Sequence, residues 1–404
     1  MADVTDAPGP SPAPWARFDD LPHGTGLCFG PPRRVLVART PDEVAPTLAA
    51  LDAATRAGEW AFGYVRYEAA PGLDRALTTC APSGAPLVWF GLGDPPLAVP
   101  AIAGTDEPCR YRAEDWRPGW TADGHRAAVE AVRRHIAAGD IFQCTLTARL
   151  RTDISGDLLA FYGDLAVNQH SRYAAYLDLG DHIVAGASPE LFFSWSGDRL
   201  LTRPMKGTAP RGHTPEEDRA QVDALLRSPK ERAENIIVVD LLRNDVSRIA
   251  SVGSVSTPAL CVPERYRTVW QLTSDVVGTV PASTPLVDVF RALFPSGSVT
   301  GAPKPRAMRI IRDLEHAPRG VYCGAVGWVA PPSAPVRATF SVAIRTAQIE
   351  RRSGLAVYGT GGGITWSSDP DAELAEIVTK TRILPTRRGE PVGSVSAAPV
   401  DRCS

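Results

Sequence analysis

The stretch Arg203-Pro204-Met205-Lys206-Gly207-Thr208 carries the most specific signal in this chain of 404 residues. It follows the apolar pair Leu200-Leu201 and therefore predicts a short turn, bracketed by proline and glycine, at the end of a strand. Most lysines lie on solvated faces, because burial of their charge is costly. A lysine beside a glycine that lets a ligand come close is also a candidate nucleophile. The stretch alone leaves both interpretations open.

Composition and charge describe an ordinary globular protein. Hydrophobic residues make up 44% of the chain and the formal net charge is -2, so we expect no surface for nucleic acid or for an anionic membrane. No apolar run approaches the roughly 18 residues that a membrane span needs. The seven cysteines are scattered without a Cys-x-x-Cys pair, which argues against a zinc site or a disulfide framework. Reduced thiols and a cytoplasmic location are the simplest expectation.

Composition also divides the chain into segments. Residues 1–14 are rich in proline and are predicted to be a flexible leader, and residues 386–404 are predicted to be a flexible tail. Residues 15–110 mix short apolar runs with prolines and are predicted to pack on a larger unit. That unit, residues 120–385, shows no clear linker and is predicted to be the catalytic domain.

Hydrophobic periodicity predicts a mixed α+β fold, because runs of strands are followed by runs of helices. Strands are predicted over 60–65, 142–151 and 172–202, with a hairpin at Ser196-Gly197-Asp198, and as a meander over 322–366. Helices are predicted over 41–58, 120–138, 215–227, 230–249, 304–314 and 371–382, and Thr214 is the expected cap of the third.

One glutamate interrupts an apolar run, Ala187-Ser188-Pro189-Glu190-Leu191-Phe192-Phe193. Burial would raise the pKa of this carboxyl and suit it to general-acid catalysis near neutral pH, whereas a glutamate on an edge strand would simply face water. Glu190 and Lys206 flank the predicted hairpin, and a hairpin brings the ends of its two strands together. An acid and a nucleophile are therefore predicted to face one pocket.

Two predicted helices carry carboxylates beside apolar residues. Glu234 lies just before four consecutive apolar residues, and a carboxylate that enters a core needs a partner or a metal. In the last helix, Glu373, Glu376 and Lys380 are spaced i, i+3, i+7 and share one stripe. Two carboxylates on one face suit Mg²⁺, which prefers oxygen ligands. A solvated acidic face with one intrahelical ion pair is the alternative.

A glycine-rich segment precedes the last helix, in Tyr358-Gly359-Thr360-Gly361-Gly362-Gly363-Ile364. Such a segment exposes backbone N–H groups to an anion, but no Gly-Lys-Ser/Thr follows, so a small carboxylate is favoured over a nucleotide. Arg345 ends an apolar strand and is a candidate clamp for a carboxylate, or else an ordinary surface arginine at a strand end.

Together these segments resemble the chorismate-utilising enzymes, a family that includes anthranilate, aminodeoxychorismate, isochorismate and salicylate synthases. The resemblance covers about residues 120–385. It is carried by motifs in a fixed order: Gly139-Asp140-Ile141-Phe142-Gln143, Ala187 to Glu190, Pro204 to Thr208, Glu234 to Asp245, Pro295 to Lys304, Gly320 to Gly327, Ile344-Arg345-Thr346, and Gly361 through Lys380. It implies an anthranilate-synthase-like fold, in which antiparallel sheets pack as a sandwich with helices outside.

Two positions distinguish the members of this family. Lys206 stands where the anthranilate and isochorismate synthases carry alanine, and it is similar to the covalent nucleophile of the aminodeoxychorismate synthases. Gln143 stands where the water-using members carry a general-base lysine, which implies ammonia as the incoming group. The resemblance therefore implies the reaction of aminodeoxychorismate synthase component I: chorismate and ammonia give 4-amino-4-deoxychorismate, the precursor of 4-aminobenzoate.

The resemblance also implies a role for each candidate residue. Lys206 attacks ring carbon C2, Glu190 protonates the departing C4 hydroxyl, and Mg²⁺ binds the ring carboxylate. The implied metal ligands are Glu234 and Glu376, with Glu373 close by. The implied substrate-binding residues are Tyr322, Arg345, Lys380 and the amides of Gly361, Gly362 and Gly363 for the carboxylates, and Gly207 and Thr208 for the ring.

Two positions depart from the family pattern. Gln271 replaces the usual histidine before Leu272, which weakens an anthranilate synthase assignment more than an aminodeoxychorismate synthase one. Ala375 replaces an acidic residue that is common in the last helix, which implies a thinner shell around the metal.

The source of ammonia is predicted to be a separate glutamine amidotransferase subunit. The segment Gly26-Leu27-Cys28-Phe29-Gly30 fits the spacing of a nucleophile elbow, but Pro31-Pro32 follow it instead of a helix. Two alternatives remain open. In the first alternative, the chain is the large subunit of an enzyme that makes anthranilate or 2-amino-2-deoxyisochorismate. In the second, it is a non-catalytic scaffold that binds the amidotransferase.

Overall fold

The structure, a computed structural model, describes residues 12–104, 110–267 and 269–385. The predicted tail and residues 1–11 of the predicted leader lie outside the described residues. In the described ranges the helices are α1 Pro41–Arg56, α2 Ala70–Leu73, α3 Ala122–Ala137, α4 Leu158–Gln169, α5 Pro215–Arg227, α6 Pro229–Ser247, α7 Leu286–Leu293, α8 Lys304–Glu315 and α9 Pro370–Lys380. None of these described helices is long and apolar enough to cross a membrane.

The strands are β1 Trp15–Asp20, β2 Thr25–Phe29, β3 Arg34–Ala38, β4 Trp60–Val65, β5 Val88–Gly93, β6 Leu97–Pro100, β7 Tyr111–Ala113, β8 Arg117–Pro118, β9 Gln143–Gly156, β10 Tyr173–Asp178, β11 His182–Ser188, β12 Leu191–Ser196, β13 Arg199–Arg203, β14 Met205–Pro210, β15 Ser256–Arg265, β16 Val269–Thr279, β17 Gly301–Ala302, β18 Ala325–Val329, β19 Ala338–Val342, β20 Thr346–Glu350 and β21 Leu355–Ile364.

Local sequence signals explain where the helices begin. Thr214 accepts a hydrogen bond from the Glu217 N–H at 3.2 Å, and Pro215 occupies the first turn of α5, as predicted. The same combination of a capping side chain and a proline begins α6 and α9, where Ser228 and Asp369 are the capping residues. The two helices that carry the carboxylates are therefore fixed at their N-termini by their own sequence.

Two antiparallel sheets form the centre of the molecule. The first sheet has the order β17-β9-β21-β20-β11-β10-β1-β2-β6, with β7 and β8 also paired to β9. The second has the order β14-β16-β13-β12-β19-β18-β4-β5-β3, with β15 also paired to β16. Strands of the segment predicted to pack on the core, residues 15–110, extend both sheets: β1 pairs with β10, and β4 pairs with β18.

The core lies in layers between and outside the sheets. One cluster joins the two sheets face to face and includes Phe62 of the second and Leu177 of the first. Phe290 of α7 packs in the cluster on the outer face of the second sheet, and Phe161 of α4 packs in the cluster on the first. Each such side chain contributes about 1.5–3 kcal/mol by its burial. The predicted α+β sandwich with outer helices is confirmed.

The predicted meander over residues 322–366 is wrong in one respect. Its four strands form two hairpins in different sheets, because β18 and β19 pair in the second sheet whereas β20 and β21 pair in the first. The chain passes between the sheets at Arg345, whose φ of 54° lies in the left-handed region. Periodicity predicts strands but does not show which sheet each strand joins.

The expectation of reduced thiols is wrong for one cysteine. Cys28 is disulfide-bonded, whereas Cys80, Cys144, Cys261 and Cys323 are free. Spacing along the chain does not reveal cysteines that meet only after folding. A bonded sulfur has no thiolate, so this cysteine is not the nucleophile of an amidotransferase elbow.

Candidate active site

Two crossings between the sheets lie side by side and carry two predicted site residues. Pro189 and Glu190 connect β11 of the first sheet to β12 of the second, and Arg345 connects β19 back to β20. The Ala187 N–H donates to the Arg345 carbonyl at 3.0 Å, and the Val342 N–H donates to the Glu190 carbonyl at 3.1 Å. These backbone bonds hold the acid and the arginine beside one another.

A single cavity at these crossings is lined by every residue that the sequence predicted for the site. They are Lys206, Glu190, Gly207, Thr208, Tyr322, Arg345, Gly361, Gly362, Gly363, Lys380, Glu234, Glu373 and Glu376. The lining also includes polar residues that sequence reasoning missed, namely Thr145, Lys230, Glu231 and Ser298. The cavity thus combines four cations, Lys206, Lys230, Arg345 and Lys380, with five carboxylates.

Lys206 lies in strand β14 and not in the predicted turn. The pairing of β14 with β16 is irregular between Met205 and Thr208, and Gly207 there has a φ of 93°. Such a bulge redirects a side chain, and its glycine tolerates the left-handed backbone. Proline and glycine mark turns and bulges alike, which is why the sequence suggested a turn. Among the described residues, the Lys206 amine has no hydrogen bond or ion pair.

Glu190 is only 3% exposed. Burial raises the pKa of Glu190 to about 7, against the opposing effects of a hydrogen bond from Ser298 and of the Lys206 charge. The predicted hairpin provides the link to the lysine, because Leu191 pairs with Arg203 across β12 and β13. A carboxyl group with this pKa can hold a proton near neutral pH and donate it.

Glycine residues of β21 let charged side chains approach. A Cβ at Gly363 would lie 2.6 Å from the Lys206 Nζ, and a Cβ at Gly362 would lie 3.0 Å from Glu373 Oε2. The Lys380 Nζ donates to the Gly361 carbonyl at 2.7 Å and pairs with Glu376 Oε1 at 2.6 Å. The intrahelical ion pair considered as an alternative is therefore present, inside the cavity.

Carboxylates reach the cavity from two helices. Glu231 and Glu234 come from α6, and Glu373 and Glu376 come from α9, each pair with the spacing i, i+3. The i, i+3 spacing of Glu231 and Glu234 is the sequence pattern that could have identified Glu231 as a site residue. Sequence reasoning missed it because a glutamate in the first turn of a helix is already explained by the helix dipole. Glu234 lies 3.9 Å from the Lys230 Nζ.

Repulsion among these carboxylates affects their protonation. Burial raises the pKa of Glu231, Glu234 and Glu373, and a neighbouring carboxylate raises each of them further. Burial also raises the pKa of Glu376, but the ion pair with Lys380 and the charges of Lys206 and Lys230 together outweigh it, and the net shift is downward. Among the residues that the structure describes, no three His, Cys, Asp or Glu side chains stand close enough to hold a metal ion directly.

Hydrogen bonds to neighbouring side chains fix two further polar residues of the site, Thr208 and Arg345. Gln271 donates through Nε2 to the Thr208 hydroxyl at 3.0 Å. Arg345 donates to Gln169 Oε1 at 3.0 Å. Gln143 is buried next to Gly363, and its Oε1 has no hydrogen-bond partner in the described part of the chain. The cavity therefore presents cations and carboxylates to a ligand, whereas Gln143 is not among the residues that line it.

Comparison with known proteins identifies the family. A model described as chorismate binding enzyme matches residues 97–385. The chain belongs to the chorismate binding enzyme family. The match begins before the predicted catalytic domain and ends at its predicted C-terminal boundary.

Relatives of this chorismate binding enzyme carry two different names. Anthranilate synthase component 1 of Cereibacter sphaeroides is 39% identical over 279 residues, which are 69% of this chain and 55% of that protein. Aminodeoxychorismate synthase component 1 of Bacillus subtilis is 39% identical over 261 residues, which are 65% of this chain and 54% of that protein. The matching part of the chain thus spans about half the length of these curated relatives.

A solved structure confirms the implied fold. The crystal structure of anthranilate synthase component I from Streptococcus pneumoniae TIGR4 superposes with a TM-score of 0.75 at 25% sequence identity. The superposition covers 95% of this chain and 94% of that chain. The anthranilate-synthase-like fold is therefore shown for this chorismate binding enzyme.

Proposed function

We propose that this chain is the component 1 of an aminodeoxychorismate synthase, which converts chorismate and ammonia to 4-amino-4-deoxychorismate and water. One observation carries the proposal: the amine of Lys206 and the carboxyl of Glu190 line the same cavity, at the end of one hairpin. A nucleophile and an acid in one pocket suit a substitution in which one group enters the ring while another leaves.

The chemistry assigns one bond change to each residue. The neutral Lys206 amine attacks ring carbon C2, the two ring double bonds shift, and the C4–O bond breaks. Glu190 gives its proton to the departing hydroxyl, which leaves as water. Ammonia then adds at C4, the double bonds shift back, and the C2–N bond to Lys206 breaks. Each of the two entering amines loses one proton when it bonds to the ring. One of these protons restores Glu190 and the other restores the departing Lys206 amine, so both residues regain their starting protonation states.

The anionic substrate is proposed to bind to the cationic side of the cavity. Chorismate carries two carboxylates, and Arg345 and Lys380 offer charge-assisted hydrogen bonds to such groups. The N–H groups of Gly361, Gly362 and Gly363 are proposed as further donors, with Tyr322 beside them. Gly207 and Thr208 are proposed to line the ring.

The carboxylates of α6 and α9 fit a hard cation, and we propose Mg²⁺ as the cofactor. Their oxygen donors suit this ion, and their mutual repulsion would be relieved by a positive charge. Because these side chains are not gathered into direct coordination, water would complete the shell, as Mg²⁺ usually requires. The proposed ligands are Glu234 and Glu376, with Glu231 and Glu373 beside them. When bound, the ion would neutralise a substrate carboxylate and make the ring more electrophilic.

A second component is proposed to supply the ammonia. The relatives are named component 1, which favours a partner chain, and a glutamine amidotransferase is the proposed partner. In its absence, ammonium salts should replace it.

Product analysis tests the proposal. The purified chain is incubated with chorismate, Mg²⁺ and ammonium chloride, and the products are identified by mass spectrometry and by NMR. We expect an amine at C4 with the enolpyruvyl group retained. Release of pyruvate would instead assign anthranilate synthase, which the names of several relatives favour, and an amine at C2 would assign 2-amino-2-deoxyisochorismate synthase. If chorismate were not consumed, the interpretation of the chain as a non-catalytic scaffold would be the one that remains.

A further inference from the structure

Among the described residues, one hydroxyl group donates a hydrogen bond to the carboxyl of Glu190, and that hydroxyl is itself held in place. Ser298 donates to Glu190 Oε1, and the Ser296 and Ser298 hydroxyls lie 3.0 Å apart. The Ser298 N–H also donates to the Ser296 Oγ at 3.4 Å, while Thr145 donates to the Ser298 carbonyl at 3.1 Å. Ser296 and Ser298 are 4% and 5% exposed. The hydroxyl at Glu190 is therefore fixed by a buried turn.

In the part of the chain that the structure describes, the Ser298 hydroxyl is the one hydrogen-bond partner that sets the direction of the Glu190 carboxyl. Of the charged side chains in the cavity, Lys206 is the one whose charge acts on Glu190, and it does so from β14 without a hydrogen bond. The backbone of Glu190 is bonded to Val342 of β19 and to the Ser188 hydroxyl, but neither bond reaches the carboxyl.

We infer that Ser298 is a positioning residue, which orients the Glu190 carboxyl toward the ring and limits the pH range in which that carboxyl keeps its proton. The inference rests on the proposed function. A hydroxyl that donates to a carboxylate favours its ionised form. Loss of Ser298 should therefore let Glu190 keep its proton to a higher pH while leaving the carboxyl poorly aimed.

The pH dependence of kcat with ammonium as the nitrogen donor tests the inference. In Ser298→Ala we expect the alkaline limb to move upward by about one pH unit. We also expect kcat to fall about tenfold at pH 6, where Glu190 is protonated in both proteins, because a misplaced donor slows proton transfer. Thr300→Val is the matched control, since its buried hydroxyl donates to the Ser296 carbonyl and not to Glu190. It should leave the limb unmoved.

A double-mutant cycle separates this inference from the proposed function. In a Glu190→Gln background, Ser298→Ala should cause no further loss of kcat. A Ser298→Ala profile equal to that of Thr300→Val, with the kcat of Glu190→Gln strongly reduced but still measurable, would overturn the inference alone. Full activity of Glu190→Gln would overturn the acid role in the proposed function. If Ser298→Ala does not fold, Ser296→Ala decides: a smaller upward shift supports the inference, and an unmoved limb refutes it.

Discussion

The substitution Gly363→Ala is predicted to damage catalysis while sparing the fold. A Cβ at this position would lie 2.6 Å from the Lys206 Nζ and 3.2 Å from the Gln143 Nε2. An ordinary contact begins near 3.4 Å, so the amine must retreat by about 0.8 Å. Because Nζ is the end of a flexible side chain, this retreat costs little stability. The backbone of Gly363 does not have a positive φ, so alanine causes no strain there.

The size of the expected effect follows from that displacement. A misplacement of about 1 Å at a reacting group costs about 100-fold in rate, which corresponds to about 2.7 kcal/mol in the barrier. We therefore expect kcat/KM for chorismate, measured with saturating ammonium and Mg²⁺, to fall about 100-fold while Tm stays within about 2 °C.

The control for this prediction is Gly93→Ala, another strand glycine, whose Cβ would meet its neighbours at 3.5 Å or more. It should keep wild-type activity. A Gly363→Ala variant within twofold of wild type would show that the Lys206 amine does not act from its observed position, and the covalent mechanism would lose its geometric support.

Four further predictions address Glu190, Lys206 and the proposed cation. The rate should fall as pH rises through about 7, because ionised Glu190 has no proton to give, and a flat profile between pH 6 and 9 would contradict this. The raised pKa also means that Glu190→Gln should stabilise the fold above pH 7 and leave it unchanged below about pH 4.5, as thermal unfolding would show. Lys206→Ala should lose more than about 100-fold in kcat, and mass spectrometry should detect no substrate adduct on it; full activity would exclude the covalent route. Glu231→Gln should raise the Mg²⁺ concentration that gives the half-maximal rate about tenfold. The control Glu216→Gln, on the exposed face of α5, should not change this concentration. Equal values for the two variants would show that Glu231 does not contribute to metal binding.

The parts of the site that the sequence predicted are those that local rules control. A hairpin must bring its ends together, so the proximity of Glu190 and Lys206 followed from turn residues alone. The stripe of Glu373, Glu376 and Lys380 followed from helix geometry. Neither rule required knowledge of any distant segment.

The parts that the sequence did not predict depend on contacts between distant segments or on ambiguous residue types. Pro204 and Gly207 suit a turn and a bulge equally, and pairing with β16 decided for the bulge. Glu231 has an ordinary role at a helix N-terminus until α9 is placed opposite it. Ser298 lies in a single 3₁₀ turn, Gly297–Val299, where a serine by itself indicates no function. Its role becomes interpretable only when its hydroxyl meets Glu190, 108 positions away in the sequence.

The position of the site in the sandwich separates its proposed chemistry into two structural units. Glu190 and Arg345 stand where the chain passes between the sheets, so the sandwich itself fixes the distance between the proposed acid and the proposed carboxylate-binding arginine. Lys206 comes from β14 at the edge of the second sheet, and the paired carboxylates come from α6 and α9. Substitutions on α6 and α9 can therefore alter the binding of the proposed cation without moving Glu190. Changes between the sheets must move Glu190 and Arg345 together, because hydrogen bonds join the two crossings.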